Sequence, residues 1–125
     1  LTRAHVEAKK AWDLGAKEKT MNEILTLIRH AQWRWDFAAA GHGNSFHSPV
    51  ETLRIVANGI ARAQEARVKL ARILTELGHS GEVTYPDITT KEKAQEYIGL
   101  NIRELTEEKT EFLEKVVPGW ADKQD

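Results

Sequence analysis

Ser48-Pro49-Val50-Glu51-Thr52-Leu53-Arg54-Ile55-Val56-Ala57-Asn58-Gly59-Ile60, carried on without interruption to Leu77-Gly78, decides the fold. Ser48 is placed to cap a helix, and Glu51 stands at capping-box spacing from it. Pro49 suits the first helical position, where its fixed φ fits and its missing N–H costs nothing. Gly59 is tolerable inside a helix, so no strong breaker follows before Gly78. The pattern predicts one helix from about Pro49 to Leu77, roughly 44 Å for about 29 residues at 1.5 Å each.

Within it Leu53, Val56, Ile60, Ala63, Arg67, Leu70, Leu74 and Leu77 repeat at 3-4-3-4-3-4-3 spacing. That is a heptad seam in which Arg67 alone is charged. Two readings stay open: a helix packed lengthwise in its own bundle, or a seam meeting another subunit. A chain of 125 residues has an expected radius of gyration of roughly 14 Å, so part of such a helix projects or finds a partner. The expected interface runs through Leu53, Val56, Ile60, Ala63, Arg67, Leu70 and Leu74.

Outward from this helix the periodicity stays helical, and no stretch alternates long enough for a strand. A first helix is expected from about Thr2 to Leu14, stopped at Gly15. A second begins at Thr20, which has capping-box spacing to Glu23. Its apolar face is Met21, Ile24, Leu25, Ile28, Ala31, Trp35, Ala38 and Ala39, ending near Gly41. Gly41 to His47 reads as a loop by its glycines and small polar residues. Beyond Gly78 a connector leads to a short helix capped by Thr89 and Glu92 and stopped at Gly99. Asn101 opens the last helix, with face Ile102, Leu105, Phe112, Leu113 and Val116. Pro118-Gly119 ends that helix, and a frayed tail is expected over 121–125. The expected architecture is all-α: one helical domain over 1–125, a bundle of four to five helices with one unusually long.

The chain carries 18 Lys+Arg against 19 Asp+Glu, a net charge of −1, with pI near 6.6. That balance argues against a general nucleic-acid binder. With 41% hydrophobic and 30% charged residues, a core can form. No apolar run approaches the roughly 18 residues that span a bilayer. Cysteine is absent, which excludes disulfides, thiolate ligands and thioether-attached haem within these residues. The chain starts at Leu1 without a signal-peptide pattern, and the expectation is a piece of something longer.

The histidines are the first suspects for chemistry. His5 and His79 have charged neighbours and read as surface residues. Glu76 and His79 have the Glu-x-x-His spacing of di-metal bundles, but Gly78 breaks the helix between them and no second copy exists. His30 lies in Ile28-Arg29-His30-Ala31-Gln32-Trp33-Arg34-Trp35-Asp36. Trp33 and Trp35 point about 200° apart on a helix, so either the helix is buried on two sides or one indole packs against something outside the chain. His30 is either a buried residue paired with a carboxylate or a contact to a bound aromatic or porphyrin group. His42 and His47 stand on the glycine-flanked loop, where imidazoles could ligate iron or zinc, or only cap and hydrogen-bond at the surface.

The run from Leu27 to Ala40 with its His-Ala-Gln-Trp-Arg-Trp-Asp core, then Gly41-His42-Gly43 and Phe46-His47-Ser48-Pro49-Val50-Glu51, resembles a contiguous stretch of ammonia-forming cytochrome c nitrite reductases. Ala4-His5-Val6-Glu7-Ala8, Ala71-Arg72-Ile73-Leu74, Pro86-Asp87-Ile88-Thr89-Thr90-Lys91 and Val117-Pro118-Gly119-Trp120 extend the likeness over nearly the whole chain. The resemblance implies the C-terminal helical part of a periplasmic pentahaem enzyme that reduces nitrite to ammonium with six electrons. It implies that His47 is the distal axial ligand of one electron-transfer haem, binding the haem iron. It places His42, Trp33 and Trp35 near the haem array. Haem c would be attached through cysteines outside this segment, and the catalytic groups and calcium ligands also lie outside it. Implied partners are the haem-bearing remainder of the enzyme, a second copy in a homodimer, and a membrane-bound quinol-oxidising cytochrome c. This segment alone is expected to be inactive. The alternative is a stand-alone helical dimerisation module without a haem role.

Overall fold

The computed structural model describes residues 1–121; from 122 onward the expected frayed tail lies outside the described residues. Those residues contain no strand and fold as helices joined by turns, one of them long, as the periodicity predicts. They fall into two compact units, the first Leu1–Tyr85 and the second starting at Pro86.

The first unit holds α1 (Thr2–Asp13), α2 (Glu18–Ala40), α3 (Asn44–His47) and α4 (Pro49–Glu76). Helices α2 and α4 pack lengthwise, and α1 lies chiefly on α4. Ala4, Ala8 and Ala11 form a stripe of small residues on α1 that brings its backbone close to its neighbours. They pack with Met21, Ile24, Leu27 and Ile28 of α2 and with Ala66, Leu70, Ile73 and Leu74 of α4. Met21, Ile24 and Leu70 are fully buried, each contributing about 1.5–3 kcal/mol by leaving water. Gly59 lets α2 and α4 approach closely: a Cβ there would lie 3.3 Å from Arg34 Cβ and 3.5 Å from the Ala31 carbonyl oxygen.

Helix ends show which local signals won. Gly15, with φ +88°, stops α1, and the Ala16 N–H returns to the Ala11 carbonyl at 3.0 Å, satisfying an orphan acceptor. Helix α2 starts before Thr20, because the Lys17 carbonyl already accepts from the Thr20 and Met21 N–H groups at 3.0 and 3.1 Å. Thr20 is therefore inside the helix and makes no cap. Ser48 is the N-cap residue of α4 with Pro49 following, but its side chain makes no cap bond. Glu51 turns instead to Arg54, whose Nε donates to it at 2.7 Å. The expected loop is half helical: Gly43, at φ +81°, turns the chain into the single turn of α3.

The second unit contains α5 (Lys91–Tyr97), α6 (Ile102–Lys115) and α7 (Pro118–Ala121). Thr90, not Thr89, caps α5, accepting from the Lys93 N–H at 3.3 Å. Thr89 is occupied: its backbone N–H and hydroxyl both donate to Asp87 Oδ1. Asn101 caps α6 as its position predicts, accepting from the Glu104 N–H at 3.3 Å. Pro118-Gly119 opens the short α7 rather than simply ending α6, and Trp120 meets Phe112 edge-on at 5.6 Å. No residue of α5 or α6 is buried.

Candidate functional site

The buried residues of α2 all lie between Met21 and Ala31, and past that point its side chains open to solvent. Trp33 is 72% and Trp35 58% exposed, on opposite sides of the helix. Neither indole is buried, so the helix is not covered on two sides by its own chain. His30 is also exposed, and its backbone carbonyl accepts from Arg34 Nη1 at 2.8 Å. The buried His30–carboxylate pair is therefore corrected: the residue is exposed and its side chain has no carboxylate partner among the described residues. Phe37, Phe46, Val50, Leu53 and Ile60 continue the exposed apolar surface onto α3 and the first half of α4.

His47 is the last residue of α3, and helix α4 begins two residues later. Its N–H donates to the Gly43 carbonyl at 2.8 Å. Its ring stands edge-on to Phe46 at 5.3 Å, is exposed, and makes no hydrogen bond among the described residues. A Cβ at Gly43 would lie 3.2 Å from His47 Cδ2 and 3.7 Å from Nε2, so the missing side chain clears the imidazole edge. These features fit axial ligation of an iron carried on other polypeptide: one nitrogen is available and the backbone on both sides is fixed. His42 is exposed too, on the turn before Gly43. Among the described residues no three His, Cys, Asp or Glu side chains are grouped to hold a metal ion.

The heptad seam divides. Leu53 and Ile60 are exposed and Val56 is partly so, whereas Ala63, Leu70 and Leu74 are buried inside their own unit. Those three cannot present a face to another subunit, because Leu70 and Leu74 already pack against α1 and α2. Leu77 is packed against the edge of the same core. Arg67 is engaged as well. Its Nε donates to both Glu7 carboxylate oxygens at 2.9 and 3.1 Å, and its Nη2 reaches Tyr85 Oη at 3.2 Å. The Tyr85 hydroxyl donates to Glu7, and Arg3 lies over the Tyr85 ring at 4.9 Å. Hydrogen bonding to Glu7 raises the Arg67 pKa against the effect of burial. The Tyr85 hydroxyl is raised by donating to Glu7 and then by burial.

Glu7 is the buried charged residue that sequence reasoning missed. Its signal was present: it shares a helical face with Ala4, Ala8 and Ala11, and Arg67 was already the one charge in an apolar seam. His79 also differs from its surface reading. It is half-buried, and its Nε2 is enclosed without a hydrogen-bond partner among the described residues.

The family model described as Cytochrome c552 matches residues 1–125. A cytochrome c-552 of Porphyromonas gingivalis is 54% identical over 98% of this chain and 25% of its own length. One of Parabacteroides distasonis is 52% identical over 96% of this chain and 24% of its own length. One of Bacteroides fragilis is 50% identical over 98% of the chain and 25% of its own length. The chain thus spans about a quarter of these curated relatives. Neither the family description nor the relatives' names is that of a nitrite reductase. That corrects the assignment to an ammonia-forming nitrite reductase: the reductase activity is withdrawn, and calcium has no support.

Proposed function

The chain belongs to the cytochrome c552 family, and from that premise we propose that it is a helical haem-ligating segment of a c-type cytochrome, serving electron transfer. His47 carries the reading: an exposed imidazole without a hydrogen bond among the described residues, on a short helix fixed between Gly43 and the start of α4. The chain has no cysteine, so the thioether bonds of the haem belong to polypeptide outside these residues. Iron held by two imidazoles is low-spin and exchanges an electron with little rearrangement.

His47 would hold the haem iron through one imidazole nitrogen, and the group so held would supply one-electron transfer. Gly43 keeps the backbone clear of the imidazole edge. Phe46 beside His47 would offer apolar cover that excludes water and so tunes the potential, with Trp33 and Trp35 exposed on the two sides of α2 and His42 a further side chain on this end of the unit. The partner is the haem-bearing remainder of the cytochrome. A second copy would meet this one through Leu53, Val56 and Ile60, the open part of the seam. A periplasmic location and a membrane-bound quinol-oxidising donor belong to the proposal on the resemblance alone.

The test is His47→Ala in the haem-loaded protein. One low-spin haem is expected to become high-spin by EPR while any others keep their signals. An unaltered spectrum would remove His47 from the ligand set.

A further inference from the structure

Helices α2 and α4 enclose a half-open groove of about 260 Å³ lined by Trp33, Arg34, Phe37, Arg54, Ile55 and Asn58. Two guanidinium groups line it, and they differ in one respect. Arg54 is neutralised, with Nε and Nη2 both donating to the Glu51 carboxylate. Arg34 has no carboxylate partner among the described residues; its Nη1 donates to the His30 carbonyl of its own helix at 2.8 Å. The remaining donors of its fork carry no partner from the described residues.

Arg34 is nonetheless held in place. Its stem lies across Gly59, where a Cβ would come 3.3 Å from Arg34 Cβ and 3.8 Å from Cδ. The side chain is half-buried, and the groove beside it has Trp33 at 72% and Phe37 at 55% exposure. A pinned, uncompensated guanidinium between flat apolar side chains suits a carboxylate attached to a flat apolar body. A haem propionate is such a group. The groove also lies at the His47 end of the unit: Arg54 falls within the first two turns of α4, and Ser48, its N-cap, follows His47 directly.

Resting on the reading that His47 ligates a haem, we infer that Arg34 binds a propionate carboxylate of that haem. Its positive charge then disfavours the more positive ferric state and keeps the potential of that haem high.

The experiment compares Arg34→Gln and Arg34→Lys in the haem-loaded protein. Arg34→Gln is expected to lower the midpoint potential of one haem and leave any others unmoved. It should also shift that haem's propionate bending band in resonance Raman, which reports only haem-coupled vibrations. Arg34→Lys should hold most of the potential but still shift the band, because an ammonium lacks the fork. Should Arg34→Gln fail to fold, the band shift in Arg34→Lys decides. Potential and band both unchanged would overturn the inference. A lowered potential with an unshifted band would overturn it too, assigning Arg34 to a protein carboxylate. If His47→Ala left every spin state intact while Arg34→Gln still moved both readouts, the ligand assignment would fall and the propionate site would stand.

Discussion

Arg67 Nη2 lies 2.8 Å from Glu7 Oε1, tying α4 to α1 across 60 positions of sequence, with Tyr85 hydrogen-bonded to both. The Glu7 side chain is only 8% exposed and that of Arg67 28%, so each charge needs the other once removed from water. Glu7→Ala leaves Arg67 half-buried without a counter-charge. A loss of about 2–3 kcal/mol is expected, with Glu7→Gln intermediate, measured by urea unfolding. A change below about 0.5 kcal/mol would show that solvent serves Arg67 equally well.

Tyr85 makes the same cluster sensitive to alkali. Its hydroxyl is raised above the ordinary value of 10.0, first by donating to Glu7 and then by burial. The folded state therefore holds this proton more tightly than the unfolded chain does. The stabilisation is fully present below about pH 10 and is lost as pH climbs through the raised folded value. Stability of the wild-type chain should fall more steeply above that pH than stability of Tyr85→Phe. Parallel curves would contradict the assignment.

The divided seam gives a contrast within a single helix. Leu70 is fully buried and Leu53 is 69% exposed. Leu70→Ala should cost about 3 kcal/mol, and Leu53→Ala no more than about 0.5 kcal/mol. Equal losses from both positions would mean that the two halves of α4 are equally covered.

Gly43 is held at φ +81° with His47 close to where a side chain would begin. Gly43→Ala should cost about 1–2 kcal/mol through the left-handed backbone alone. It should also displace the imidazole edge. In the haem-loaded protein a mixture of low-spin and high-spin signals is expected for one haem, and an unchanged EPR spectrum would argue against a clearing role for Gly43.

Much of the fold was legible from local chemistry. Pro49 and Gly78 bracket α4, Gly15 stops α1 and Asn101 caps α6, because each signal acts through bonds made within a few residues. Where a nearby competitor existed, spacing misled. Asp87 took the Thr89 hydroxyl, leaving Thr90 to cap, and Arg54 took the Glu51 carboxylate from its expected box. A heptad repeat fixes which residues share a stripe but not what covers it, so Leu53 and Leu70 looked alike in sequence. At the site the glycine setting pointed to His42 and His47 alike, and only the resemblance chose His47; Arg34 was not picked out at all, because its freedom from any carboxylate depends on what α4 brings opposite it. The place of Glu7 on the alanine face was readable, but its partners were not, because they lie 60 and 78 residues away.

Beyond Ala31 and before Ala63, α2 and α4 have Gly59 as their one buried residue, and no third helix completes a core around it. That stretch of the hairpin is protected mainly by its own backbone hydrogen bonds, and opening it exposes little new apolar surface. Amide exchange should therefore be fast over 32–62 relative to the stretches beside Met21, Ile24 and Leu70. His47 and Arg34 both sit on this easily opened end, so a bound haem would slow exchange there most. The cofactor would then act as the missing third element of the fold, and its arrival would be legible as protection spreading along two helices that are already formed.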